Sequence, residues 1–298
     1  MTVRPPRALG VIVGGFFTAW AALVAFLALG LAWGSPPEWK TFLAWSAAGA
    51  AFGLGALFLS WTLSLASLAY ELSDDALTIR WGLRRVVVPL DSVQRLIPGR
   101  TLESPRIEGL NWWGCHVGHA EVPRVGYVLF FSTHSSPDEL LYVVTDGECY
   151  GLTVADQAAF AEAVESRRAL APVGEVSHRA VATGMAAMPF WRDRAALMWA
   201  GVLLAAAAGV AGYVFARYPS LPDVVRLGFP DAGGVVRVGP KEELLRIAYL
   251  AAAIGTANAA LGALVHARER ASGLWLLAGG AMLQGVLAAA AVVAIERV

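Results

Sequence analysis

Long stretches without charged side chains dominate the pattern of hydrophobic and polar positions along the chain. Five of these stretches are each long enough for a helix of about 20 residues, which is the length that crosses the ~30 Å hydrocarbon core of a membrane. A helix on the surface of a soluble protein keeps a polar face, and these stretches lack one. The pattern predicts an all-α transmembrane region of about five helices: helices 1 and 2 within 8–69, helix 3 over 195–216, and helices 4 and 5 within 247–295.

Between the second and third stretches the pattern changes to short alternating segments. Leu77, Ile79 and Trp81 alternate with polar neighbours, which is typical of a half-buried β-strand. Further along, Asp146–Gly147 separates two apolar segments, and this dipeptide is a strong hairpin signal. We therefore expect several antiparallel strands in this part of the chain.

A helix is predicted to follow these strands. The segment from Thr153 to Asp156 resembles a capping box, and the helix that it opens is expected to end near Arg168. Residues 99–118, rich in Gly, Pro and Trp, are expected to be irregular. The prediction for residues 70–172 is thus an inserted domain of antiparallel strands with a C-terminal helix.

Two less apolar segments separate the remaining helices. We interpret residues 173–194 as a linker that ends in an interfacial collar, Pro189–Arg194. Residues 217–246 are polar, contain Gly and Pro, and are too short for a core of their own. We expect this second segment to lie outside the cytoplasm.

Composition supports a membrane protein and narrows the classes of partner. Hydrophobic residues make up 57% of the chain and charged residues 15%, and the mean hydropathy is +0.57. A soluble domain usually has about 25% charged residues. Because the formal net charge is zero, the composition indicates neither an acidic partner nor a nucleic acid partner. Two cysteines are too few for a disulfide framework, and no cofactor is expected.

The arginines near the helix ends indicate an orientation. Arg4, Arg7, Arg192 and Arg194 flank the first and third helices, and the turn 266–270 also carries arginine. Cytoplasmic loops carry an excess of such residues. We expect a multi-pass protein of the inner (plasma) membrane with its N-terminus and its inserted domain in the cytoplasm.

The inserted domain resembles the bacterial pleckstrin-homology (PH) domains of membrane proteins. The resemblance rests on the segments 70–82, 85–93, 127–133 and 143–147 and on the helix that contains Phe160. It implies a seven-stranded, bent β-barrel capped by a C-terminal helix. It also implies a cytoplasmic position next to transmembrane helices.

A second resemblance is shorter. The segments Leu221–Asp223, Phe229–Gly234 and Gly239–Lys241 are similar to a domain of unknown function that lies between helices in bacterial membrane proteins, including bacteriocin-immunity relatives. That motif has a histidine just before its aromatic residue, and here the position is Gly228. The departure puts any role of that histidine in doubt.

Arg80, Arg84 and Arg85 flank the first hairpin of the inserted domain and are its candidate binding residues. In eukaryotic relatives of the fold, a basic first hairpin binds phosphoinositide headgroups. The planar guanidinium suits phosphate because it can bind two oxygens at once. The alternative is a solvated turn whose arginines keep the sheet edge polar.

Trp112 and Trp113 are a second binding candidate. They belong either to an exposed loop that binds a ligand or enters the bilayer interface, or to a turn that covers the mouth of the barrel. Cys115, His116 and His119 have ligand types that suit zinc, but their spacing is not that of a standard site, and we expect no metal there.

The sequence shows no catalytic set of residues. The polar side chains within the helices are few, and Asn258 and Gln284 are expected to form bonds across helices 4 and 5. The first hypothesis is a non-enzymatic membrane-anchored protein whose PH-like domain binds a protein partner or a second copy, in a homo-oligomer. The alternative is a transporter or immunity-type protein that the domain regulates.

Overall fold

The computed structural model describes residues 1–169, 178–182, 187–226 and 238–296. Parts of the predicted linker, of the segment 217–246 and of its motif, including Gly228, Phe229 and Gly233–Gly234, lie outside the described residues. The chain divides into two compact units, one comprising residues 1–23 and 51–187 and the other 24–50 and 188–298.

The helices follow the charge-free stretches. Within the described residues, five helices are long and apolar enough to cross a membrane. With the shorter helix of the inserted domain, α3, their bounds are α1 Ala8–Ala32, α2 Trp39–Ala66, α3 Gln157–Arg168, α4 Arg194–Arg217, α5 Leu245–His266 and α6 Arg270–Glu296.

The strands of the inserted domain form two sheets. Their bounds are β1 Thr2–Val3, β2 Ala69–Leu72, β3 Ala76–Trp81, β4 Arg84–Pro89, β5 Val93–Pro98, β6 Glu108–Trp112, β7 Cys115–Val122, β8 Gly126–Ser132, β9 Leu140–Thr145, β10 Cys149–Thr153 and β11 Arg179–Ala182. Sheet A has the order β1-β2-β3-β4-β11, and sheet B has the order β5-β9-β10-β8-β7-β6.

The predicted closed barrel is wrong. The chain leaves sheet A after Pro89, which has no N–H for a further ladder bond, and a 3₁₀ turn at Leu90–Ser92 carries it to sheet B. The outer edge of β4 then pairs with β11 and not with β5. Two other predictions are corrected as well: β8 and β10 are parallel, and β6 and β7 occupy much of the segment 99–118 that was expected to be irregular.

The predicted hairpin and helix are both present, with one change at the start of the helix. Strands β9 and β10 are antiparallel across Asp146–Gly147. Asp156, and not Thr153, is the N-cap of α3, and its carboxylate accepts a hydrogen bond from the Ala159 N–H. The Thr153 hydroxyl instead accepts the N–H bonds of Thr133 and His134, because Thr153 is the last residue of β10.

The main core of the domain lies between the two sheets and α3. Ile79 and Val88 of sheet A, Phe131 of sheet B and Phe160 of α3 are all at most 1% exposed. Leu65, in the last turn of α2, and Leu68, two residues after this helix, are fully buried in the same core. Helix α2 therefore continues into the domain without an intervening linker.

In the second unit, α4, α5 and α6 pack closely through small residues. Added Cβ atoms would meet Ala207 at Gly255, Leu277 at Gly262 and Asn258 at Gly280. Gly279 and Gly285, in contrast, have no neighbour within 4 Å of an added Cβ. The short strands β12 Val224–Arg226 and β13 Val238–Pro240 pair between α4 and α5.

One carboxylate joins the ends of these three helices. Asp193 caps α4 by accepting the Ala195 N–H, and it accepts bonds from His266 Nε2 at 3.0 Å and from Arg270 Nε at 2.6 Å. His266 is at the end of α5 and Arg270 at the start of α6. The hydrogen bonds from Arg270 and then from His266 hold the pKa of Asp193 well below its usual range.

We predict that Asp193→Asn lowers the thermal unfolding midpoint of the full chain in detergent at pH 7, because the amide loses the charged pairs. The pKa of the Asp193 carboxyl is lowered in the folded state. The carboxylate therefore stabilises the fold at pH values above about 3.9, its pKa in the unfolded chain, and this stabilisation declines below that pH. The difference from wild type should therefore shrink at pH 3. Asp74→Asn, at a fully exposed carboxylate, is the control. An unchanged midpoint for Asp193→Asn at pH 7 would contradict the prediction.

Candidate functional site

The β3–β4 hairpin brings the three candidate arginines together. Arg80 lies opposite Arg85 in the register, and Arg84 lies opposite Trp81. Like charges that face each other across strands are unfavourable, and Glu71 of β2 offsets this pair: its carboxylate is 2.7 Å from Arg80 Nη1 and 3.9 Å from Arg85 Nη2. Both arginines are more than half exposed, so each ion pair contributes at most about 1 kcal/mol.

The linker strand β11 adds Arg179 to the face of sheet A that carries Arg80 and Arg85. Arg179 lies opposite Val87, which is two residues from Arg85 on the same face of β4. In the part of the chain that the structure describes, Arg84 and Arg179 have no acidic partner. A cleft of about 550 Å³ opens among these side chains; Arg80, Gly82, Leu83, Arg84, Arg85, Val87, Arg179 and Val181 line it. The cleft is therefore positively charged overall.

The turn of this hairpin is fixed to the end of α2. The Gly82 N–H donates to Ser67 Oγ at 2.7 Å, and a Cβ added at Gly82 would collide with the Ser64 side chain. Gly82 has φ +57°, which glycine adopts at little cost. The arginine cleft is thus held beside the last turn of an apolar helix, and the domain is not free to turn away from it.

The β6–β7 hairpin lies against both α1 and α2. Trp112 packs its ring 6.3 Å from Phe58 and 6.1 Å from Trp61, and Phe58 lies about 12 Å along the α2 axis from the last residue, Ala66. Trp113 is 76% exposed. The two tryptophans therefore separate: Trp112 packs on α2, and Trp113 is exposed.

A close contact between two glycine backbones supports this hairpin. Gly114, with φ +83°, meets Gly10 in the first helical turn of α1, so closely that a Cβ on either residue would collide with the backbone of the other. Nearby, Arg7 Nη1 donates to the Leu68 carbonyl at 3.4 Å, and the Met1 amine donates to the Leu72 carbonyl at 2.8 Å. The start of α1 is therefore attached to the domain at several points.

The Cys/His segment of β7 has ordinary structural contacts. Cys115 is fully buried, and burial raises the pKa of its thiol to about 12. His116 Nδ1 is 2.6 Å from Asn111 Oδ1. The pKa of His116 is lowered, mainly by burial and to a smaller extent by the charge of His134. Within the described residues there is no group of three or more Cys, His, Asp or Glu side chains placed to hold a metal ion.

Two features of the site have no signal in the sequence. His178 Nε2 lies 2.6 Å from the Tyr150 hydroxyl, which joins the residue before β11 to sheet B. Arg179 stands in a stretch of small residues with no strand-like alternation, so its place beside the hairpin could not be predicted.

Inside the second unit, Gln284 donates to the Ala251 carbonyl at 3.0 Å, and the predicted bond between α5 and α6 is confirmed there.

We predict that Gly10→Ala destabilises the full chain by about 1–3 kcal/mol, the usual cost of overpacking, because the new methyl group collides with the Gly114 carbonyl and Leu65. Gly15→Ala is the matched control, since it lies on the same helix and has no neighbour within 4 Å of an added Cβ. Thermal unfolding in detergent measures both. Equal midpoints for the two variants would show that the contact does not hold the domain to α1.

Comparison with known proteins identifies the inserted domain. Residues 68–168 match the model of the bacterial PH domain family. The match begins at the buried Leu68, directly after α2, and ends with the last residue of α3, so β1 and β11 lie outside it. Searches of curated proteins and of solved structures found no match. The resemblance seen in the sequence is confirmed: the chain carries a bacterial PH domain at residues 68–168, together with apolar helices of a length that could span a membrane.

Proposed function

We propose that the protein is a non-enzymatic, membrane-anchored regulatory protein whose PH domain binds a protein partner or a second copy of the chain. The observation that carries the proposal is the shared core: Leu65 and Leu68, at the end of α2, are fully buried among residues of the PH domain. The domain is therefore built onto the start of α1 and the end of α2, and it does not hang from a flexible linker.

This arrangement couples a binding event to the helices. A ligand shifts a conformational equilibrium only by its difference in affinity for the two states. If a partner prefers one position of the β3–β4 and β6–β7 hairpins, the contacts of Gly82 with Ser64 and of Gly114 with Gly10 pass that preference to α2 and α1. A tethered domain without such contacts would anchor a partner but would not regulate the helices.

The positively charged cleft beside the β3–β4 hairpin of sheet A is the proposed binding surface. Charged surfaces at a protein interface act mainly through specificity and association rate, and Arg84 and Arg179 have no acidic partner in the described part of the chain. Anionic lipid headgroups are a second ligand class for the same arginines, at about 1 kcal/mol for each charge near the membrane. We favour a protein because the cleft is bordered by a sheet edge, which suits a polypeptide.

The arginine pattern supports an inner-membrane protein with its N-terminus and PH domain in the cytoplasm. The non-enzymatic assignment is supported by Cys115, whose buried thiol stays protonated at neutral pH. The deletion of residues 71–172 described below also tests the transporter or immunity-type hypothesis.

We predict that Arg84→Glu/Arg85→Glu reduces the yield of specific partners at least about tenfold in an in-cell crosslinking pulldown of the full chain. Two charge reversals on one surface should cost more than the 1.4 kcal/mol that corresponds to a factor of ten. Arg106→Glu is the control, because it reverses an exposed arginine elsewhere on the domain.

Partners that remain after both arginines are reversed would contradict the proposed surface. A further chain without residues 71–172 tests the function itself. Partners that persist on that chain would assign the function to the helices and to the segment 217–246, and the transporter or immunity-type hypothesis would replace this proposal.

A further inference from the structure

We infer that β11 is an internal substitute for the partner: the outer edge of β4 is a docking edge for an extended acidic segment, which binds there by displacing β11. This inference rests on the proposed function and adds the partner's conformation and charge. Addition of a strand to an exposed sheet edge is a common way to bind a peptide, because the main-chain hydrogen bonds are satisfied and the side chains give specificity.

The PH domain by itself leaves this edge open. Its family match ends at residue 168, and within the match sheet A ends on β4. Strand β11 comes from the connection between α3 and α4 and pairs with β4 over four residues: Arg179 with Val87, Ala180 with Val86, Val181 with Arg85, and Ala182 with Arg84. A segment outside the domain therefore covers an edge that the domain provides.

Within the described residues, the side chains of Arg179, Ala180 and Val181 contribute little to a buried core. Arg179 and Ala180 are exposed, Val181 is only partly buried, and neither Ala180 nor Val181 belongs to a buried core of the described residues. Among the described residues, the bond between His178 and Tyr150 at 2.6 Å is a side-chain contact just before the strand. Hydrophobic burial supplies most of the stability of a packed strand, and β11 has little of it. Such a strand is suited to displacement.

The charge of β11 also does not match the edge that it covers. Arg179 stands diagonally from Arg85, which faces Arg80 across the hairpin, so three arginines lie on one face and Glu71 offsets only part of their charge. Acidic side chains at the positions of Arg179 and Val181 would instead lie next to Arg85 and in the cleft with Arg80. The edge therefore favours an acidic strand over the strand that the chain itself supplies.

Displacement has a consequence for the rest of the chain. With β11 paired, the connection from α3 to α4 is attached to the PH domain at residues 179–182. Displacement of β11 by an acidic strand would release the connection from the PH domain at these residues.

The experiment measures the binding of two labelled peptides to the full chain in nanodiscs of neutral lipid, by fluorescence anisotropy. One peptide has the sequence of residues 177–184, and the other carries Arg179→Glu and Val181→Glu. The release variant is Ala180→Pro/Val181→Pro: neighbouring residues of a strand point their N–H groups to opposite sides, so one of the two prolines removes a bond to β4.

We expect the acidic peptide to bind the release variant about tenfold more tightly than the wild type. If β11 leaves the edge of the wild type open for about a tenth of the time, the apparent affinity of the wild type falls about tenfold. The peptide with the chain's own sequence should bind the release variant more weakly than the acidic one. Adding Arg85→Glu to the release variant should reverse this preference.

Equal affinity of the acidic peptide for wild type and release variant would overturn the inference, and so would equal binding of the two peptides. Loss of peptide binding in nanodiscs with anionic lipid would assign the arginines to headgroups and would also overturn it. If neither peptide binds while Arg84→Glu/Arg85→Glu still removes the cellular partners, the edge inference fails and the proposed function stands.

Discussion

The burial of Leu65 and Leu68 in the core of the PH domain is the constraint on which the rest of the first unit depends. Each fully buried leucine contributes roughly 1.5–3 kcal/mol of hydrophobic stabilisation. Since both lie at the end of α2, the domain cannot keep its core and also move away from that helix. The position of the arginine hairpin beside Ser64 and Ser67 follows from this constraint, and so does the position of Trp112 on Phe58 and Trp61.

Close contact between backbones also attaches α1 to the PH domain, and it requires residues without side chains. Gly10 and Gly114 bring α1 into contact with the β6–β7 hairpin, and a methyl group on either residue would separate them. In the second unit, Gly255 and Gly262 instead leave room for the side chains of Ala207 and Leu277, and Asp193 adds a carboxylate that joins the ends of three helices. Both units therefore depend on small residues and on a few polar contacts at helix ends.

Features that arise from local patterns could be predicted from the sequence. The helices follow from long stretches without charge, β3 follows from the alternation at Leu77, Ile79 and Trp81, and the β9–β10 hairpin follows from Asp146–Gly147. In each case neighbouring residues determine the outcome, because periodicity and turn chemistry act over a few positions.

Features that depend on distant residues could not be predicted. The closed barrel was wrong because β1 and β11, from outside the PH domain, occupy the two edges of sheet A. Arg179 reaches the candidate site only through this pairing. The resemblance drew attention to Arg80, Arg84 and Arg85, but the partnership of Glu71 with two of them needed the register of β2 and β3.

The central claim is that the PH domain and the helix ends of its unit form one body. Spin labels at Phe16→Cys on the exposed face of α1 and at Glu162→Cys on α3 would test it directly by pulsed electron resonance in nanodiscs, since both native cysteines are buried. A single narrow distance distribution is the predicted result. A broad or multiple distribution would show that the domain moves freely on its helices, and the proposed coupling would be wrong.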